Sequence, residues 1–189
     1  MGVTIHYYTE AGRGLSPATA ESQFERAVAL TEEVGKRLGW KYLGRFREEN
    51  RRYTELDSQG GSQSGTGTVR VALWDPDPGC ETFGLEWVEG TGILPYAFVK
   101  TQYANDRVRV HAGIVTLLDR LNREVFDGCL AIHDEGGFYR DGSLDSLANG
   151  FAGNEAVIRR VLEALRGTGW SVESATDRHS ETDAADTDR

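Results

Sequence analysis

Cysteine is scarce in this chain: Cys80 and Cys129 are the two thiols in 189 residues. They form no CxxC or CxxH cluster, which excludes a zinc finger or a disulfide framework and fits a reducing compartment. Long apolar runs are also lacking. No stretch approaches the roughly 18 apolar residues of a membrane span, and the N-terminus enters the alternation Val3, Ile5, Tyr7 without a basic and apolar leader. The expectation is a soluble, cytoplasmic protein without membrane contact. Lysine is rare, 3 against 18 arginines, and 30 acids outweigh the 21 cations to leave a net charge of −9. A charge-driven grip on phosphate backbones does not suit that balance, so nucleic acid is not expected as a partner.

Catalytic signatures are missing too. Gly60, Gly61, Gly65 and Gly67 precede a strand-like run and no Gly-Lys-Ser/Thr follows, so they are not a phosphate-binding loop. No GxSxG, HExxH or GxGxxG stands in its required context, and nothing in the sequence names a cofactor.

What the chain does have is patterning. With 39% apolar residues it can bury a core as one domain, expected over 1–173. Val3 to Tyr8 alternates as a strand. Ser16-Pro17 opens an amphipathic helix on Phe24, Ala27, Val28, Thr31, Val34 and Leu38, which ends at Gly39. Trp40–Leu56 reads as strand, with helix as the alternative. Residues 57–68 hold no large apolar side chain and predict a mobile loop. Strands around Val69–Leu73, Phe83–Trp87 and Tyr96–Thr101 predict an antiparallel meander.

Asn105 or Asp106 caps a second helix carrying Val110, Ile114, Leu117, Leu118, Leu121 and Val125. Cys129–His133 reads as a strand, Ser143 and Asp145 as a brief helical turn, and Asn154 as the cap of a last helix. A short strand at Trp170–Val172 is a further option, and 174–189, with five acids and two arginines, predicts a disordered acidic tail. The whole reads as α+β: a mostly antiparallel sheet of about five strands, two long helices and a third C-terminal helix, in the order β-α-β-β-β-β-α-β-α. Leu117, Leu118, Leu121, Phe24, Val28 and Val34 are expected to meet Val71, Leu85, Phe98 and Ile132 in one core.

Three places have site chemistry. His133, Asp134 and Glu135 end an apolar strand before Gly136-Gly137, and an imidazole beside carboxylates suits general-base or metal-assisted catalysis. Successive strand residues point oppositely, however, so the structural alternative has His133 in solvent and the acids on turn amides. Lys100, Thr101, Gln102 and Tyr103 lead into the second helix, where free amides with Arg107, Arg109 and His111 suit an anion; the alternative is a capped connection with His111 packed on the sheet. Asp75, Asp77 and Glu81 on a proline-stiffened loop offer oxygens to a hard cation, or form a rigid turn in which Cys80 is no nucleophile. The reading favours a small binding or interaction module, with Tyr8, Trp74 and Trp87 as candidate contact aromatics. Its partner is a small molecule or protein, with a homodimer as a further option. The alternative is a metal- or histidine-assisted hydrolase using the His133-Asp134-Glu135 turn, with His111 or His6 as a further participant.

Overall fold

The computed structural model describes residues 3–9, 17–57, 61–91 and 93–167. The chain divides into two units, the larger being Gly2–Phe151. In the second unit the described part, 152–167, is helical. Ser16, residues 58–60 of the expected loop, the strand option at Trp170–Val172 and the expected tail all lie outside the described residues.

The element order is β1 (Thr4–Thr9), α1 (Pro17–Leu38), β2 (Lys41–Leu56), β3 (Ser62–Asp75), β4 (Phe83–Val88), β5 (Ala97–Lys100), α2 (Arg107–Glu124), β6 (Leu130–Asp134), α3 (Phe138–Asp141) and α4 (Leu144–Gly167). The class is α+β, with every strand pairing antiparallel. Two three-stranded sheets replace the single sheet, ordered β5-β1-β6 and β2-β3-β4. The meander therefore covers β2 to β4 only. Leu94 and Thr9 exchange hydrogen bonds, which draws the chain across to pair β5 with β1.

Residues Ser62–Thr68 are strand rather than loop, because they ladder onto 51–56 through backbone groups that need no apolar side chain. At the other end, α4 starts at Leu144 and runs through Asn154 without the expected break.

One core joins both sheets and both long helices of the larger unit. Ile5, Tyr7, Val99 and Leu130 from one sheet share a cluster with Ala72, Trp74, Phe83, Leu85 and Trp87 from the other and with Phe24, Val28, Ile114, Leu117, Leu118 and Leu121 from the helices. The Tyr7 hydroxyl ties the sheets by donating to the Gly84 carbonyl at 2.6 Å, and burial pushes that phenol well above its usual range.

Three expectations are corrected by strand parity. Val71 belongs to a separate small cluster with Val69 and Val88, on the other side of β3 from Trp74. Phe98 is 46% exposed, because the alternation of β5 turns Val99 inward in its place. Trp74 and Trp87, expected to be exposed, are buried in the core. No described helix is long and apolar enough to cross a membrane.

Candidate functional site

Strand β1 sorts the chemistry. Its odd positions Ile5, Tyr7 and Thr9 are buried, so His6 and Tyr8 face away from the core. Register then sets His6 opposite both Phe98 on β5 and His133 on β6. Tyr96 joins them at the entry to β5, its amide held by the Thr54 carbonyl. The rings form a continuous set: His6 stacks on Tyr96 at 5.6 Å, lies 5.8 Å from His133 and 6.2 Å from Phe98, and Tyr96 lies 6.1 Å from Tyr8.

The set also carries a polar chain. His6 Nδ1 and the Tyr96 hydroxyl are 2.5 Å apart, and His6 Nε2 lies 3.5 Å from Glu135 Oε1. The other Glu135 oxygen accepts the Thr4 amide at 3.0 Å, which fixes the carboxylate against β1. Burial raises the Tyr96 phenol above its ordinary value, and the charge of Glu135 adds to the shift. His6 keeps 21% of its side chain exposed. Tyr96 then holds its proton at neutral pH, so the chain presents a donor, an imidazole and a carboxylate to solvent.

The residues expected to act together are separated. His133 is exposed on the aromatic face. Asp134 points the other way, into the protein, and Glu135 returns outward to His6. Asp134 does meet His111, at 2.7 Å between Oδ1 and Nε2, but their side chains are 1% and 0% exposed. Thr101 Oγ1 closes the other side of the imidazole, 2.8 Å from Nδ1. The Asp134 carboxylate is filled by the amides of Gly136, at 2.6 Å, and Tyr139, at 2.8 Å. Burial pushes this carboxyl up, yet the His111 hydrogen bond and the two amides together hold it below the ordinary aspartate value. A Cβ on Gly136 would sit 2.8 Å from His111 Nε2, so the backbone itself seals the pair from solvent. Thr101, His111 and Asp134 thus form a structural couple in the interior.

Of the expected anion site, Thr101 and His111 meet in the interior, while the other members have contacts elsewhere. Asp106 caps α2 with its own carboxylate, accepting the Arg109 amide. Lys100 lies over Phe98 at 5.5 Å and 3.7 Å from Glu81, Arg107 lies over Phe151 at 5.3 Å, and Tyr103 is exposed. Gln102 Oε1 is buried without a hydrogen-bond partner.

In the acidic loop, Asp77 accepts the Asn105 amide and Glu81 the Lys100 amide, so the carboxylates serve the turn. Burial, with Asp77, Asp75 and Glu81 nearby, pushes the Cys80 thiol up to about 12, which keeps it protonated and unreactive. Among the described residues, no three His, Cys, Asp or Glu side chains form a group able to hold a metal.

Sequence reasoning missed His6 and Tyr96 as a pair. The alternation of β1 was the available signal for His6, whereas Tyr96 reaches it from 90 positions away. Compared with known protein families, curated proteins and solved structures, the chain finds no match.

Proposed function

We propose that the chain is a protein-interaction module that engages its partner through the outer face of β5-β1-β6. The observation that carries this reading is the gathering of His6, Tyr8, Tyr96, Phe98 and His133 on the side of the sheet away from the core. Aromatic rings with a charged border, here Lys100 and Glu135, are the composition of interface centres and rims. The outer face of a sheet suits a protein better than a small molecule, which needs a concave pocket.

Panning a random peptide display library on the immobilised protein, with a Phe98→Asp variant as counter-selection, tests it. Enriched peptides should move the NMR signals of His6, Phe98 and His133 and lose affinity in the variant. Peptides that bind both proteins equally, or that map to another surface, overturn the reading.

A second reading, histidine-assisted hydrolysis, is favoured by the Tyr96, His6 and Glu135 chain alone, which has the donor, base and orienting carboxylate of acid–base chemistry. It places the base at His6 and leaves His133 outside the reacting set. It requires an activity that His6→Gln abolishes and His133→Ala retains.

A further inference from the structure

We infer that a second site, at the C-terminal end of α1, binds a small aromatic carboxylate that also carries a hydrogen-bond acceptor. It is independent of the sheet face proposed above.

The cleft is about 400 Å³ and is lined by Glu32, Lys36, Gly39, Trp40, Tyr42 and Trp74. That volume suits a compact organic molecule. Its walls follow from the way α1 ends. Gly39 takes a left-handed φ of 80°, and the Trp40 amide then donates back to the Gly35 carbonyl at 2.8 Å, which folds the Trp40 ring in under the helix. Tyr42 and Trp74 face each other across β2 and β3, with ring centres 5.7 Å apart. Three aromatic rings therefore converge beside the last turn of a helix.

Two polar features give the cleft its chemistry. Trp74 Nε1 is buried and has no hydrogen-bond partner in the protein. An indole N–H is a donor only, and buried donors are nearly always satisfied, so this one points to an acceptor supplied from outside. The second feature is charge. Glu32 shares Arg45 with Glu25, at 3.1 Å and 2.7 Å. Lys36 has no ion-pair partner among the described residues, so of the two charged groups lining the cleft it is the one left open to a ligand's counter-charge. A ligand carboxylate pairs with Lys36, its ring lies against Trp40 and Tyr42, and its acceptor reaches Trp74 Nε1. That nitrogen is covered, so the acceptor reaches it only with a shift of the cleft wall, in which Tyr42 is the exposed ring of the three.

Titration with 4-hydroxybenzoate, followed on the ¹⁵N-indole signals, tests this. The Trp74 signal is assigned by its loss in Trp74→Phe. It should shift with saturation, benzylamine should bind at least about tenfold more weakly, and Lys36→Met should weaken 4-hydroxybenzoate by about tenfold, the scale of one charge-assisted contact. Lys41→Met, outside the cleft, should leave binding unchanged. Lys36 is exposed on α1, so its variant folds whether or not Trp74→Phe does. No saturable shift at millimolar 4-hydroxybenzoate overturns the site, as does equal binding of benzylamine or unaltered affinity in Lys36→Met.

Discussion

Asp134 shows how one carboxylate can be taken out of use as a reactive group while it holds a fold together. Its two oxygens satisfy His111, Gly136 and Tyr139, and its side chain is closed to solvent. Asp134→Ala leaves a buried imidazole and two amides unanswered, and thermal or urea unfolding should show a loss of about 3–5 kcal/mol. The acid dependence has a definite sign. The folded carboxyl lies below its unfolded value of about 3.9, so its contribution is complete above that pH and fades as pH falls through the folded value. Asp134→Asn should flatten that acid limb of the stability profile, and an unchanged limb would show that the couple does not contribute. The sequence displayed both Asp134 and His111 as candidate residues but not that they meet. His111 lies 23 positions earlier, on a helix, and strand parity separates Asp134 from the adjacent His133. The exposed chain was hidden for the same reason, since His6 and Tyr96 meet only through the sheet.

Helices α1 and α2 were the legible elements, because a stripe at helical spacing survives whatever it packs against. Leu117, Leu118 and Leu121 on α2 are buried as that stripe requires. Leu118→Ala should cost about 2–5 kcal/mol in chemical denaturation, and a loss under about 1 kcal/mol would contradict the buried face. The strands were less legible where alternation breaks. Pairing of β2 with β3 shifts between Tyr42 and Gly44 and again between Glu48 and Arg51, with Asn50 at a left-handed φ of 56°. Each bulge resets which side chains face inward, so period two fades from the sequence although the ladder persists. The Ser62–Thr68 part of β3 was hidden differently: its partner strand supplies the hydrogen bonds, and its side chains carry no apolar signal. Phe98 was misplaced by one position of parity, and that slip removed a residue of the exposed face from view.

At the scale of the larger unit, Gly2–Phe151, the two sheets share no strand, yet they share a core. Ile5 and Val99 pack in the same cluster as Phe83 and Leu85, with α1 and α2 contributing to both, and Tyr7 bonds across to Gly84. Separating the sheets would expose that cluster on each half, so neither half retains enough buried apolar surface to persist alone. The sheets should therefore unfold together. Trp40, Trp74 and Trp87 report the β2-β3-β4 side by fluorescence in a Trp170→Phe background, and the imidazole NMR signals of His6 and His133 report β5-β1-β6. Both probes should give the same urea midpoint and the same slope. Tyr7→Phe removes the hydroxyl and leaves the half-buried Gly84 carbonyl without it, a cost of about 1–3 kcal/mol that should lower both midpoints together. If the tryptophan midpoint moves while the histidine midpoint stays, the sheets are separate cooperative units and the shared core does not bind them into one.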